Sequence, residues 1–498
     1  MSSLDLMVVG GFIVATLVVA YLFGKDETST DDFFLGGRRI PGWAACLSFV
    51  ATEISALTII GVPATAFKEN WNYGQFVVGS ALSRVAIAYW FIPVFFQYRC
   101  ITIYEYIAHR FGPASHRACA IFFFMTRLMG SGVRLMAACA AVSLLLGCNF
   151  TITLVAYTIV TILFIGFGGI KAVVWNNVLQ AITFLGGGVL TIAFLLSRIQ
   201  GGLGEAVRVA VSAGKLEFYH AGPAVGSPGF WHTWLSDPNI FWIAVLNGLI
   251  GSMAAFGTDH DLMQRLLTVK TREISQKTMV FTILGSVATI LTYLSIGSLL
   301  YVFYHQNPDL SLPAKIDEIF PHFIARVMPE GLRALMLAAI VVASIDSPLG
   351  SLAASFVTDI YRPVLSRGRD ERHYLLVSRL AVGAFGLVLG TLAWVFHLAA
   401  GWLWLAFKIG GVTFGSLLGV FLLGLATRHR GDRSNVVAMV VTAALMGTLL
   451  YLSETKVLQL GWSWLIVIGT GLTMVLASVL SRFEESRSVP PSDAPQHD

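Results

Sequence analysis

A glutamate lies in the middle of an apolar stretch of the kind that crosses membranes. The stretch FVATEISALTII runs from Phe49 to Ile60, and Glu53 is its only charged residue. A charge at the bilayer centre costs at least about 2.5 kcal/mol, so such residues face a bundle interior or water. Glu53 therefore marks a candidate solute site, with Thr52 and Thr58 as further candidates close to it in the sequence.

A second acid and a row of serines lie in another apolar segment, LAAIVVASIDSPLGSLAASF. Ile340, Ser344, Ser347 and Ser351 recur there at helical spacing and share one face of a helix. Oxygen-rich faces suit hard cations, although small hydroxyl residues also let membrane helices pack closely. Packing does not need a carboxylate, so Asp346 together with Ser344 and Ser347 indicates a cation site.

The composition is that of a polytopic membrane protein. Of 498 residues, 56% are hydrophobic and only 12% are charged, against roughly 25% charged in soluble domains, and the mean hydropathy is +0.74. Apolar runs of about 20 residues predict about thirteen membrane-spanning helices. No Walker loop, dinucleotide fingerprint or nucleophile motif is present, so we expect neither ATP-driven transport nor an enzyme.

The distribution of Lys and Arg predicts the orientation. With the N-terminus outside and the C-terminus inside, the cytoplasmic loops carry most of the basic residues, including Arg38, Arg39, Arg110, Lys171, Arg272, Arg369 and Arg430. The opposite loops carry fewer, mainly Lys68, Arg208, Lys215, Lys315, Arg326 and Lys456. This bias predicts a protein of the plasma (inner) membrane. It also accounts for the net charge of +5 without a nucleic-acid partner.

Two glycine- and proline-containing helices suggest an internal repeat. The second helix carries Gly61 and Pro63, and the seventh carries Gly248, Gly251 and Gly257. Broken helices at matching positions of two inverted repeats form the binding sites of many secondary transporters. The chain then reads as one transmembrane domain, 1–480, with an extra helix at 5–24, repeats at 43–200 and 238–425, C-terminal helices at 433–480, and a disordered cytoplasmic tail at 481–498.

Five segments resemble successive signatures of the sodium:solute symporter family. They are DDFFLGGRRIPGW, ITIYEYIAHRFG, GGIKAVVWNNVLQ, GTDHDLMQRLL and ASIDSPLGSLAASFVTDIY. The resemblance runs from about residue 31 to about residue 425 and implies an all-α, LeuT-type five-plus-five inverted repeat. It also implies a symporter that imports a sugar, sugar acid, organic acid or amino acid by alternating access.

The resemblance implies a sodium site between the second and ninth helices. Its ligands fall on the carbonyls of Ala51, Ile54 and Ile340 and on side chains at positions 343 and 344. This chain departs from the family at Ala343, which lacks the usual hydroxyl. It departs again at Asn177, where members that use a second sodium carry an acid. We therefore expect one sodium, to which Asp346 adds an oxygen.

Several alternatives remain open at this point. Asp346 or Glu53 is a candidate proton carrier in place of sodium, and a membrane sensor that binds its solute without moving it is a function of another class. The solute site is expected at Thr52, Glu53 and Thr58, joined by Ser252 on the seventh helix and by Lys408 if the solute is anionic. Glu53 is alternatively paired with an internal base, for which the candidates are Lys408, Arg84, Arg127 and Arg134.

The GTDHD segment, Gly257 to Asp261, places acids and a histidine together but lacks the histidine spacing of a zinc site. We therefore expect no metal other than sodium.

Overall fold

The computed structural model describes residues 3–24, 29–345, 348–366, 368–398 and 402–488, which form helices and connecting loops with no β-strand among them. The helices are α1 (Ser3–Gly24), α2 (Thr30–Leu35), α3 (Gly42–Glu53), α4 (Ala56–Lys68), α5 (Tyr73–Ala86), α6 (Ile92–Gln97), α7 (Tyr104–Arg110), α8 (Pro113–Leu146), α9 (Phe150–Arg198), α10 (Gly202–Ser212), α11 (Phe230–Ser236), α12 (Phe241–Gly257), α13 (His260–Leu267), α14 (Arg272–Gln306), α15 (Ile319–Arg326), α16 (Glu330–Ile345), α17 (Leu349–Ser355), α18 (Glu371–Phe396), α19 (Trp402–Ala426), α20 (Arg433–Glu454) and α21 (Ser463–Ser488). π-Helical turns at Ile87–Phe91 and Phe356–Leu365 follow α5 and α17.

The prediction of an all-helical membrane protein is confirmed. Within the described ranges, ten helices are long and apolar enough to cross a membrane, and the bent pair α3 and α4 makes up to eleven. The first part of α9, Phe150–Gly166, is a shorter apolar helix that adds to these. The count of about thirteen spans stays a prediction.

The loops gather on two opposite faces of the bundle. On the first, which we call the long-loop face, Gly461 N donates to Leu235 O and Trp71 N donates to Glu217 O. On the second, the short-loop face, Ile40 N donates to Thr268 O. Asp5 lies at the long-loop end of α1, where it pairs with Arg333 at the start of α16. The chain therefore begins on the long-loop face.

The second predicted span is broken, as expected, but at a different residue. Helices α3 and α4 meet at an angle of 58°, and the chain is extended at Ile54, with φ −89° and ψ 96°. Gly61 and Pro63 lie inside α4, beyond the break. Pro63 instead marks a close helix contact, because a Cβ at Gly297 would meet its carbonyl oxygen at 2.4 Å. The break thus lies immediately after Glu53.

The seventh predicted span is broken between α12 and α13. Asp259 caps α13, its carboxylate accepting a hydrogen bond of 2.9 Å from Asp261 N. Helix α12 packs backbone to backbone on α5, because a Cβ at Gly79 would lie 2.0 Å from Val245 O and one at Gly248 would lie 2.1 Å from Phe76 O. This close contact holds the polar faces of α5 and α12 beside the break in the second span.

The fifth and sixth predicted spans form the single long helix α9, which is kinked at Gly169. Gly169 has φ 51° and ψ −167°, a backbone conformation that glycine adopts without strain. The second half of α9 then lies against α3 and brings Asn177 to the residues that precede the break.

Candidate solute and cation site

A cavity of about 190 Å³ lies beside the break in the second span. Its walls come from the broken span itself and from α5, α8, α12, α13, α14, α19 and α21. Three predicted solute residues line it, Glu53, Thr58 and Ser252. The Ser252 hydroxyl is buried and has no hydrogen-bond partner among the described residues. The structure therefore brings together residues that are about 200 positions apart in the sequence.

Glu53 is ion-paired with Arg84 on α5. Arg84 Nη2 lies 2.5 Å from Glu53 Oε2, and the arginine is only 1% exposed. Ser286 on α14 joins the pair, because its hydroxyl donates to Glu53 Oε2 at 2.6 Å and accepts from Arg84 Nη2 at 3.0 Å. The guanidinium also lies over the Phe256 ring, 4.7 Å from its centroid. Internal pairing of Glu53 is therefore confirmed, and Arg84 is its partner.

A second ion-pair cluster lies where the seventh span breaks. Arg127 on α8 contacts Asp259, at 3.4 Å, and Asp261. Arg265 Nη1 binds Asp261 from the other side at 2.7 Å. The GTDHD carboxylates thus bind arginines, and Arg127 joins α8 to α13. Arg127 and Asp259 line the cavity. We call Arg127, Asp259, Asp261 and Arg265 the inner charge cluster.

One face of α8 forms a polar wall of the cavity that sequence reasoning did not assign to the solute. Arg134 lies two turns beyond Arg127, and its Nη1 donates to Thr52 O at 3.0 Å. Ser131 lies between the two arginines, with a buried hydroxyl that has no partner among the described residues. The seven-residue spacing of Arg127 and Arg134 is the sequence signal from which their shared helix face could have been predicted.

Aromatic rings line the cavity towards the long-loop face. Phe407 on α19 lies 5.3 Å from Phe76 and 5.3 Å from Trp462, measured between ring centroids. Tyr73 and Trp404 extend this group, at 6.0 Å from each other. A solute in the cavity would therefore contact polar and charged groups on one side and aromatic faces on the other.

The structure describes some of the predicted cation ligands, and others lie outside the described residues. Ala51 lines a smaller cavity of about 40 Å³ on the other side of the break, and Ile54 lines the large cavity. Ile340 is fully buried in α16. Asp346 and Ser347 lie outside the described residues, as does the side chain of Ser344. The structure thus brings Ala51 and Ile54 to the break, next to the cavity.

Asn177 binds the helix that precedes the break. Its Nδ2 donates to Ser48 Oγ at 3.1 Å and to Thr52 Oγ1 at 3.0 Å. The Thr52 hydroxyl itself donates to Ser48 O at 2.8 Å. Thr52 therefore faces Asn177 and lines the smaller cavity, and it is absent from the described lining of the larger one.

Lys408 is also absent from the described lining of the large cavity. Its ammonium lies 2.8 Å from the Glu454 carboxylate on α20, where both side chains are partly exposed. We expect Lys408→Met to leave the solute KM within about twofold of the wild type, because exposed ion pairs contribute little. Initial uptake rates into proteoliposomes measure this KM. A tenfold rise in KM would return Lys408 to the solute site.

The comparisons with known proteins agree with this geometry. The model of the sodium:solute symporter family matches residues 33–442. The chain belongs to this family. It is 28% identical to the sodium/sialic acid symporter SiaT of Proteus mirabilis over 442 residues, covering 87% of this chain and 86% of that protein. It is 25% identical to human sodium-coupled monocarboxylate transporter 1, covering 84% of this chain and 69% of that one.

A solved structure shares the whole architecture. It is a substrate-bound, outward-open Na⁺-coupled sialic acid symporter, with a TM-score of 0.84, 26% identity, and coverage of 97% of this chain and 98% of that chain. This sodium:solute symporter therefore has a LeuT-like fold and is a membrane transporter, not an enzyme. The family favours sodium over the proton as the coupling ion, and transport over sensing.

Proposed function

We propose that this symporter imports a small organic anion, with a carboxylate, together with sodium. The observation that carries the proposal is the α8 face of the cavity. Arg127 and Arg134 line the cavity, and the buried Ser131 hydroxyl between them has no hydrogen-bond partner among the described residues. Guanidinium groups and a hydroxyl donor at the wall of a buried site favour a ligand with a carboxylate.

The relatives support the same class of solute. The named solutes of two of them are sialic acid and monocarboxylates, and each of these carries a carboxylate. Arginine pairs with carboxylates through two parallel hydrogen bonds, which gives both affinity and orientation. We place the solute carboxylate against the α8 face formed by Arg127, Ser131 and Arg134, and the rest of the solute against Thr58, Ser252 and the aromatic rings.

The sodium site is proposed between the break in the second span and α16. Its oxygens are the carbonyls of Ala51, Ile54 and Ile340 and the hydroxyl of Ser344, with Asp346 and Ser347 close by in sequence. Sodium binding at this site and solute binding in the cavity are coupled. Each ligand therefore raises the affinity of the protein for the other by the same factor. Rocking of the helix bundle then releases both ligands to the cytoplasm.

Ser344→Ala tests this sodium site. We expect the sodium concentration for half-maximal uptake to rise about tenfold or more, because one of few oxygen ligands is lost, while the solute KM at saturating sodium changes little. Uptake against sodium concentration at constant ionic strength provides both values. Ser351→Ala, which removes a serine hydroxyl from α17 outside the proposed ligands, is the control. Unchanged sodium dependence in Ser344→Ala would remove the site from this position.

The finer topology is also proposed. We infer thirteen spans in a five-plus-five inverted repeat, with the boundaries that the sequence predicts, the long-loop face outside and the short-loop face in the cytoplasm. The basic residues support this orientation, because Arg38, Arg110 and Arg272 all lie at the short-loop face. The start of α1 is then outside, and the end of α21 at Ser488 is cytoplasmic.

A thermal-shift screen of the purified protein tests the proposed function. A ligand that binds the native state raises the midpoint of unfolding by mass action. Sialic acid, monocarboxylates, sugar acids, neutral sugars and amino acids are each added in sodium and in choline buffer. We expect carboxylates to stabilise the protein, and more strongly in sodium. Stabilisation by neutral sugars alone would contradict the proposal.

A further inference from the structure

The Glu53 carboxylate uses one oxygen for the protein and turns the other to the cavity. Arg84 and Ser286 both bind Oε2, at 2.5 and 2.6 Å. Oε1 has no hydrogen-bond partner among the described residues, and the side chain, 21% exposed, lines the cavity. Glu53 is therefore a half-satisfied acceptor at the wall where the solute is proposed to bind.

Two buried donors hold the carboxylate in this orientation. Arg84 is buried and is packed over Phe256, and Ser286 is also buried. Rotation of the carboxylate would break two hydrogen bonds, one of them to a charged donor, and such bonds are the strong ones. Oε1 is consequently the unused acceptor of a side chain that is held in place and lines the cavity.

We propose that Glu53 makes the transporter selective for hydroxylated carboxylates, whose hydroxyl donates to Oε1 while the carboxylate pairs with the α8 face. The inference rests on the proposed function. A solute that carries a carboxylate but no hydrogen-bond donor would exclude water from Glu53 Oε1. This charged oxygen would then be buried without a hydrogen bond. Sites built for a hydrogen-bonding group reject analogues that lack it far more strongly than apolar pockets reject a missing methylene.

The charge count favours a hydroxyl over an ammonium as the donor. The charged residues that line the cavity balance, Arg127 and Arg134 against Glu53 and Asp259, and the proposed sodium adds one positive charge nearby. A hydroxylated monocarboxylate brings one negative charge, whereas a zwitterionic amino acid brings none. The solute class that fits is therefore a monoanion with at least one hydroxyl, and amino acids become an outcome of the test.

Matched acids that differ in their hydroxyls test the inference. Lactate is compared with propionate and gluconate with hexanoate, as ligands in calorimetry, all at saturating sodium. We expect each hydroxylated acid to bind about tenfold to hundredfold more tightly than its partner, the ratio that a hydrogen bond to a charged group provides. Glycine and alanine serve as the zwitterionic probes.

The Glu53→Gln variant isolates the residue. Arg84 and Ser286 donate to the oxygen position they already contact, so the new amide nitrogen is directed to the cavity and replaces an acceptor by a donor. The preference for hydroxylated acids should fall at least tenfold. Glu454→Gln makes the same chemical change in the ion pair with Lys408 outside the cavity, and it should keep the preference. Thermal unfolding of both variants establishes that they are folded.

The outcomes are distinguishable. If carboxylates bind but hydroxyls make no difference, or if Glu53→Gln keeps the preference, the inference is wrong and the proposed function stands. Tighter binding of the amino acids than of the hydroxy acids would also overturn the inference. If no carboxylate binds in sodium or in choline, the proposed function fails and the inference fails with it.

Discussion

Replacing Arg84 by glutamine is expected to lower the free energy of unfolding by about 3–5 kcal/mol, since breaking a buried ion pair leaves an uncompensated charge. Arg84 is 1% exposed and binds Glu53, Ser286 and the Phe256 ring. The glutamine would keep one hydrogen bond at most and would leave Glu53 as an unpaired carboxylate. Unfolding followed by circular dichroism in mixed micelles measures the loss.

The double variant Arg84→Gln with Glu53→Gln separates the charge from the packing. Removing both charges should recover a large part of the lost stability, because neither partner is then buried as an ion. Arg208→Gln is the control for loss of an arginine, since the Arg208 side chain is 74% exposed and pairs with Glu205 at the surface; its unfolding midpoint should not change. A double variant less stable than Arg84→Gln alone would show that the pair is not the main interaction.

Replacing Arg127 by glutamine is expected to reduce uptake at least tenfold and to destabilise the protein by a similar 3–5 kcal/mol. Arg127 is the described link between α8 and the two acids at the break of the seventh span, and it also lines the cavity. Its loss would leave Asp259 with one fewer positive partner, while Asp261 keeps Arg265. It would also remove one of the arginines proposed to pair with the solute. Uptake kinetics and unfolding on the same preparations measure the two effects.

The neighbouring acids provide the comparison for this prediction. The double variant Arg127→Gln with Asp259→Asn removes the carboxylate that has lost its Arg127 partner. It should therefore restore stability but not uptake. Asp261→Asn should be more damaging by itself than Asp259→Asn, because Asp261 is bound by two arginines. If Arg127→Gln transports normally, the inner charge cluster is structural alone and the solute carboxylate binds elsewhere.

The sequence predicts that a polar binding site lies within the apolar spans, but it does not predict which side chains form ion pairs there. Glu53 is recognisable as a site residue because a charge in an apolar span is costly unless it faces the bundle interior or water. Ser252 is recognisable because it follows the glycines of a second broken span. The partner of Glu53 is not recognisable, because Arg84, Arg127, Arg134 and Lys408 are equivalent as internal bases until the helices are packed. The close backbone contact of α5 with α12 is what selects Arg84.

Local signals also misplace some features. Gly61 and Pro63 suggest a break that the chain instead makes at Ile54, because the proline is used for contact with α14 and the extended turn follows from packing around Glu53. Lys408 lies in the span that sequence reasoning places beside the solute, yet it faces α20 and pairs with Glu454. Which side of a helix faces a cavity depends on tertiary packing that residue types alone do not specify.

The amide of Asn177, hydrogen-bonded to Ser48 and Thr52, has a consequence for energetics. The family resemblance implies an acid at this position in members that use a second sodium, whereas Asn177 is neutral, so we expect one sodium per cycle. One sodium and one monoanion together move no net charge across the bilayer. The membrane potential, worth ~2.3 kcal/mol per elementary charge per 100 mV, then adds nothing to accumulation. Transport would be electroneutral, and the solute gradient could not exceed the sodium gradient, however strongly the cell is polarised.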